Sequence, residues 1–345
     1  MQSMNCNEVL EAVNGILIAG NNFTEFSNIS ADSRTIEKDE LFIPIKGERF
    51  DGHDFIADAF KKGAACAVVN ADWNGGSDGC LLKVKDTIEA LGILAKEYRK
   101  LLSAKIVGIT GSAGKTTSRE MLYQVLSSRF KVYRSPKSFN NNIGVPLTIL
   151  MAEGNEDVLI VEMGTNHPGE IEYLTRIVQP DIAVITSVYP AHLEGLGGID
   201  GVIKEKSSIA EGLSPQGRFI INGMMPALVE HCRTKGYRFI TFGRSKGCDI
   251  SGYNIGTDGE RGWLTIDDVK VVVPAPGDGM IDNAIGVWAV AREFGLTAQE
   301  FADSLKRFTP ASMRTEVLKL KRATVISDCY NANPGSMKNA LGVLA

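Results

Sequence analysis

The chain has 345 residues, 44% of them apolar, and a formal net charge of −4. That composition supports more than one hydrophobic core, so two or three domains are expected. No apolar run approaches the roughly 18 residues of a membrane span, Met1-Gln-Ser-Met-Asn-Cys6 carries neither the basic nor the apolar part of a secretory signal, and no long basic block recommends nucleic acid as the main partner.

Six cysteines, at positions 6, 66, 80, 232, 248 and 329, are scattered with no C-x-x-C pair. Reduced packing thiols in a cytoplasmic protein are expected rather than a disulfide framework or a zinc site.

Residues 1 to about 85 read as a compact α/β region. A strand over 39–45 leads through Lys46-Gly-Glu-Arg-Phe-Asp-Gly-His-Asp54 into a helix over 55–62 and a strand over 65–69, with Ile29-Ser-Ala-Asp-Ser-Arg34 upstream. Two polar loops, each with a cation and an acceptor, are able to hold a phosphorylated ligand; the plainer alternative is that Asp51 and His53 cap the helix that follows. The glycine-rich stretch 71–79 reads as a flexible surface loop. A helix over 87–102, with Leu91, Leu94, Ala95 and Tyr98 on one side, leads onward.

Then comes Lys105-Ile-Val-Gly-Ile-Thr-Gly-Ser-Ala-Gly-Lys-Thr-Thr117. A strand over 106–110 breaks at Gly111 and Gly114 into a helix over 116–128. A glycine loop opening a helix binds anions, because the first helical amides lack partners and glycine admits close approach. Gly111, Ser112 and Gly114 would wrap a nucleotide's phosphates, with Lys115 adding charge and Thr116 and Thr117 following. Thr116 would offer its hydroxyl to the accompanying magnesium. The full phosphate-loop pattern wants glycine where Ile109 stands, and an ordinary strand-to-helix turn with a surface lysine is the alternative.

From about 103 to 313 strands and helices alternate, which predicts a largely parallel sheet covered on both faces. Ser138-Phe-Asn-Asn-Asn-Ile-Gly144 follows, and a turn explains one or two of its asparagines, so ligand contacts are expected from Asn140 and Asn141. The strand 157–162 ends in Glu162. Carboxyl ends of parallel strands form the ligand crevice, so Glu162 would face the phosphate-loop edge and bind magnesium; a structural salt bridge is the alternative. The next helix is expected to start at Pro168. His192, beyond the strand 181–187, would lie on the same side and could ligate metal. Lys204 and Lys206 follow on a helix, where solvent-facing charge is the ordinary reading.

Three stretches, Glu162-Met-Gly-Thr-Asn-His-Pro-Gly-Glu-Ile171, Ala191-His-Leu-Glu-Gly195 and Asp328-Cys-Tyr-Asn-Ala-Asn-Pro334, resemble the Mur ligase family of ATP-dependent amide-bond ligases in peptidoglycan precursor synthesis. The resemblance is strongest to the branch that adds D-alanyl-D-alanine to UDP-N-acetylmuramoyl-tripeptide. It implies an α/β fold with a UDP-sugar domain over 1–85, a central P-loop ATP-binding domain over 86–314, and only the start of a C-terminal domain over 315–345. It further implies that Lys115 and Thr116 serve ATP and Mg2+, with Glu162 and His192 around a second magnesium. Lys206 resembles a lysine that family members carbamylate, with Lys204 two residues away. Asn283 is similar to an adenine-contacting asparagine, Arg314 and Asp328 to residues near phosphate and ribose, and Ser33, Arg34, Lys46 and Gly47 to the UDP-sugar loops. A cytoplasmic monomer is expected.

The sequence also departs from the family. Gly279 and Met280 stand where relatives usually show histidine and asparagine, so altered adenine binding is expected. A helix over 336–345 ends the chain where relatives continue, so a truncated product with impaired ligation is expected. A non-catalytic nucleotide-binding remnant, or another Mur-type or polyglutamate-type ligase, is the rival reading.

Overall fold

The computed structural model describes residues 1–76 and 79–344; Ser77 and Asp78 of the glycine-rich loop, and Ala345, lie outside the described residues. The chain divides into two compact units. The first comprises Met1–Ala104 and Phe139–Glu156; the second comprises Lys105–Ser138 and everything from Asp157 onward.

In the first unit, β1 (Ile16–Ala19), β2 (Asn28–Ser30), β3 (Glu40–Phe42), β4 (Cys66–Asn70) and β5 (Cys80–Val84) form one sheet in the order β1-β5-β4-β3-β2. All neighbours are parallel except β1 with β5. Helix α1 (Cys6–Val13) opens with a capping box between Asn5 and Glu8. Helix α2 (Thr87–Arg99) buries Leu91, Leu94, Ala95 and Tyr98, the side its apolar spacing marks. It packs against the wholly buried helix Gly144–Leu150. The Tyr98 hydroxyl donates to the Ala152 carbonyl at 2.7 Å and accepts the Gln2 N–H at 2.8 Å, so this ring ties three distant stretches together. The expected break between residues 85 and 86 therefore falls instead after Ala104, and the segment 139–156 returns to the first unit. Only long-range packing decides that, and periodicity does not report it.

The second unit is built on a seven-stranded parallel sheet. Its strands are β6 (Lys105–Thr110), β7 (Val132–Arg134), β8 (Val158–Glu162), β9 (Ile182–Ile185), β10 (Arg218–Asn222), β11 (Ile240–Gly243) and β12 (Ile250–Ser251). Their order is β12-β11-β10-β9-β6-β8-β7, all parallel. The uninterrupted apolar runs of β8 and β9 fit strands covered on both faces. Helix α3 (Lys115–Leu126) buries Met121, Leu122 and Val125 against Val107 and Ile109 of β6 and against Ile285 and Trp288.

After β6 the chain turns to β7 and β8 on one side and then to β9–β12 on the other. The topological switch therefore lies at β6, beside the glycine loop, which is where open parallel sheets bind ligands. Helix α4 (Glu170–Val178) starts two residues later than expected. Gly169 holds φ 86° at its N-cap, so Pro168 sits outside the helix. Helices α5 (Ile199–Ser207), α6 (Asp278–Glu293) and α7 (Pro334–Leu344) follow, with a three-stranded antiparallel sheet over 253–273 and a hairpin over 316–327. Residues 315–344 group with this second unit. Among the described residues no helix is long and apolar enough to cross a membrane.

Candidate functional site

The glycine loop is clamped from the end of β9. Ser112 N–H donates to the Ser187 carbonyl at 2.8 Å, Ala113 N–H to the Ser187 hydroxyl at 3.0 Å, and the Thr186 hydroxyl to the Ala113 carbonyl at 2.5 Å. The Ser112 hydroxyl donates to the Tyr189 carbonyl and accepts its N–H, both at 3.0 Å. Two positions demand glycine. Gly111 has φ 152°, and a Cβ there would overlap the Thr186 hydroxyl. Gly114 has φ 83° at the N-cap of α3, and a Cβ there would strike the Asn283 carboxamide. Asn283 thus touches the phosphate loop directly.

We expect Gly111→Ala to weaken nucleotide binding by about tenfold or more, since backbone strain of this kind costs roughly 1–3 kcal/mol. Calorimetric titration with Mg-ADP checks it, with Gly342→Ala, whose Cβ meets open space, as the unchanged control.

Lys115 lies at the first helical position, its ammonium donating to the Gly111 carbonyl at 2.8 Å. Surrounding protein dehydrates it and lowers its pKa; Glu162 opposes that shift and Arg314 adds to it. Glu162 is 1% exposed and stands level with Ile109 of β6, so it shares the loop's edge of the sheet. Its Oε2 accepts the Thr116 hydroxyl at 2.9 Å and Arg119 Nη1 at 3.1 Å. The salt-bridge alternative for Glu162 is therefore real. Arg119 escaped the sequence reading, although a charge on the helical face occupied by Thr116 was the available signal. It is buried, pairs with Glu120 at 2.7 Å, and also donates to the Lys137 carbonyl.

Among the described residues no three His, Cys, Asp or Glu side chains form a preformed metal cage. The donor set nonetheless fits magnesium. Thr116 gives its proton to Glu162, so its oxygen lone pairs remain for a cation. A hard cation held by one carboxylate, one hydroxyl and substrate phosphates needs no cage.

Lys206 on α5 is 2% exposed, contrary to a solvent-facing reading. Dehydration first, and the neighbouring Lys115 charge second, pull its pKa from 10.5 to about 7, against the opposing pull of Glu205. His192 has φ 53° at the start of the short helix Leu193–Leu196. Dehydration, Lys206 and Lys115 lower its pKa below the usual 6.5. Lys115 thus feels the Glu162 charge, while His192 and Lys206 each feel the charge of Lys115. Glu205, which the sequence reading also missed, accepts Gly169 N–H at 2.7 Å, Ile171 N–H at 2.8 Å and the Thr165 hydroxyl at 3.1 Å. A carboxylate thereby caps the N-terminus of α4 from a different helix.

Arg314 adds its charge near Lys115 and lies over the Tyr330 ring at 4.0 Å. Asp328 accepts the Thr315 N–H at 3.0 Å, and burial raises its pKa. Asn333 Nδ2 donates to the Ser112 carbonyl at 3.2 Å, so the Asp328–Pro334 stretch reaches the phosphate loop. Thr117 is buried on α3. Gly279 N–H donates to Asn339 Oδ1 of α7 at 2.7 Å, and a Cβ at Gly277 would come within 2.7 Å of Val343. The glycines at 277 and 279 make room for α7, while Met280 is buried.

The remaining candidates lie in the first unit. Asp51 accepts His53 N–H at 3.0 Å and bonds its Nδ1 at 2.6 Å, while His53 Nε2 accepts Asn70 N–H at 3.0 Å. Asp51 and His53 are therefore a helix cap and a structural tether. Arg34 pairs with Asp32 at 2.7 Å on the surface, Lys62 donates to the Ser33 carbonyl at 2.7 Å, Lys46 lies 3.8 Å from Asp51, and Gly47 N–H donates to the Phe50 carbonyl at 2.9 Å. Asn141 Oδ1 accepts Ile143 and Gly144 N–H at 3.2 and 2.9 Å, which starts the helix Gly144–Leu150. Its neighbour Asn140 belongs to the same loop. All six described cysteines are free thiols, four of them buried.

Residues 109–291 match the Mur ligase middle domain, and residues 25–99 match the domain described as the Mur ligase family catalytic domain. The chain is 36% identical over 324 residues to the UDP-N-acetylmuramoyl-tripeptide–D-alanyl-D-alanine ligase of Bacillus subtilis, covering 92% of this chain and 70% of that protein. It superposes on the crystal structure of MurF from Acinetobacter baumannii with a TM-score of 0.93 at 30% identity, covering all of this chain and 77% of that one. MurF ligase from Thermotoga maritima in complex with ADP gives a TM-score of 0.83 at 27% identity, covering 92% of this chain and 74% of that one.

Proposed function

The chain belongs to the Mur ligase family, and from that premise we propose that it joins D-alanyl-D-alanine to UDP-N-acetylmuramoyl-tripeptide at the expense of ATP. The observation that carries this reading is the cluster at the phosphate loop: Lys115, the Thr116–Glu162 hydrogen bond, and a dehydrated Lys206 beside them.

A carboxylate is a poor electrophile, because an amine cannot displace its oxygen. Transfer of the γ-phosphoryl group of ATP to that oxygen creates a phosphate leaving group, and the amine of the dipeptide then attacks the acyl carbon. The obstacle is charge, since the acceptor carboxylate and the polyphosphate repel each other. Lys115 and the loop amides lower that repulsion and stabilise the charge that develops at transfer.

Thr116, Glu162 and the phosphates would hold one magnesium, with Glu162, His192 and Lys206 near a second. Bound magnesium supplies further charge neutralisation and aligns the reacting oxygens. A lysine with a pKa of about 7 is partly neutral at neutral pH, so its nitrogen can attack carbon dioxide, lose a proton and become a carbamate. That turns a buried cation into an oxygen ligand.

In this reading Asn283, Arg314 and Asp328 face the nucleotide, Ser33, Arg34, Lys46 and Gly47 take the UDP-sugar, Asn140 and Asn141 lie on its peptide path, and the enzyme works as a cytoplasmic monomer. ADP formation that requires both UDP-N-acetylmuramoyl-tripeptide and D-alanyl-D-alanine is the expected result. ADP formation driven instead by free glutamate or a diamino acid would assign a different ligase, and tight Mg-ADP binding without any turnover would assign a binding role.

A further inference from the structure

The loop Gly164–Gly169 is the part of the site that the reaction above leaves without a role. It leaves the carboxyl end of β8 immediately after Glu162 and is organised by two carboxylates. Glu170 Oε2 accepts the N–H groups of Asn166 and His167 at 2.6 and 3.1 Å. Glu205 accepts Gly169 N–H and the Thr165 hydroxyl, and Thr165 also donates to the His167 carbonyl at 2.9 Å. Pro168 restricts the residue before it to extended backbone. The main chain is thus fixed from several directions, yet the Asn166 and His167 side chains are exposed. A rigid loop that presents polar side chains at a ligand crevice is arranged for contact with substrate.

Its position is equally specific. A Cβ at Gly195 would come within 2.6 Å of the Asn166 carbonyl and 3.6 Å of His167 Nδ1, so the His192 loop closes onto this one. Glu205, which pins the loop, is the residue before Lys206. His167 also contributes to the electrostatic environment of His192.

Amide formation needs a proton acceptor here. An α-amine with a pKa of roughly 7.7–8.0 arrives mostly as an ammonium at neutral pH, and it has no lone pair until one proton leaves. The chain has four histidines. His53 is buried with both ring nitrogens bonded, His231 sits among Lys235, Asp200 and Lys204, and His192 is assigned to metal.

We propose that His167 is the general base of the ligation step, taking the proton from the ammonium of the incoming amino substrate; this rests on the ligase reading above. One N–H proton passes to the imidazole. The freed pair forms the C–N bond at the acyl carbon, the second proton leaves the nitrogen for solvent, and the C–O bond to phosphate breaks with its electron pair departing on phosphate.

The test separates proton removal from acyl activation. Hydroxylamine is largely unprotonated at neutral pH, so it captures an acyl phosphate without a base. In His167→Gln, kcat with D-alanyl-D-alanine is expected to fall about 100-fold, the lower end for general-base catalysis. Hydroxamate formation from UDP-N-acetylmuramoyl-tripeptide, ATP and hydroxylamine is expected to stay near the wild-type rate, as is KM for the UDP-linked substrate. His231→Gln is the control and should change neither rate. Equal loss of both reactions in His167→Gln, or loss of neither, overturns the assignment. Wild-type protein that forms neither product overturns the ligase reading itself, and this role with it.

Discussion

Lys115→Ala lowers ADP formation by about 100- to 1,000-fold, the scale seen when one preorganised charge-stabilising donor is removed from a transition state. The ammonium is held over the glycine loop by the Gly111 carbonyl and is already dehydrated, with the Glu162 carboxylate as a compensating charge. A cation fixed in that way needs no reorganisation when the terminal phosphate of ATP begins to transfer. Binding of the UDP-linked substrate is expected to change little, because the residues proposed to take it, Ser33, Arg34, Lys46 and Gly47, belong to the other unit. Lys115→Arg is not a rescue, since a planar fork cannot take the place of a compact ammonium against a phosphate. Steady-state ADP release and direct titration with the UDP-linked substrate measure the two effects. Normal turnover in the alanine variant would remove Lys115 from the chemistry.

How far residue patterns alone reach is clear from particular positions. The strand, glycine loop and helix over 105–126 were legible because apolar periodicity, the two glycines and Lys115 all point to one local conformation. Glu162 was legible as the last residue of a buried strand because it closes an uninterrupted apolar run, and His192 as a residue of the loop that follows the next such run. Arg119 was not, because a charged residue on a helix reads as solvated unless the partner across the sheet is known, and that partner lies 43 positions away. Glu205 escaped for the same reason, since it caps a helix that begins 35 residues before it. Asn141 reads equally well as a ligand contact or as a turn residue, and in the structure its carboxamide oxygen starts the helix Gly144–Leu150. The return of residues 139–156 to the first unit depends on Tyr98 and its contacts, which no local pattern encodes.

Lys206→Met should abolish ligation while making the protein more stable, and the opposite signs are the point. In the unfolded chain Lys206 keeps its proton up to about pH 10.5, whereas in the fold it releases it near pH 7 because dehydration and Lys115 disfavour the charge. Between those two values the unfolded state binds more protons than the folded state, so stability rises with pH across that window. Below about pH 7 both states are protonated, and the full cost of burying the ammonium is present, roughly 5 kcal/mol for a shift of this size. Methionine fills a similar volume without charge. The variant is therefore expected to melt several degrees higher at pH 6–7, and its advantage should shrink steadily as the pH approaches 10. A group whose presence destabilises the fold is kept for what it does, and the stability given up here buys a nucleophilic amine beside the phosphate loop. Thermal melts at pH 6, 7, 8 and 9, paired with ADP-release assays, test both halves. A variant that is less stable at pH 6 than the parent, or one that still ligates, would show that Lys206 is a packing residue whose charge the interior already compensates.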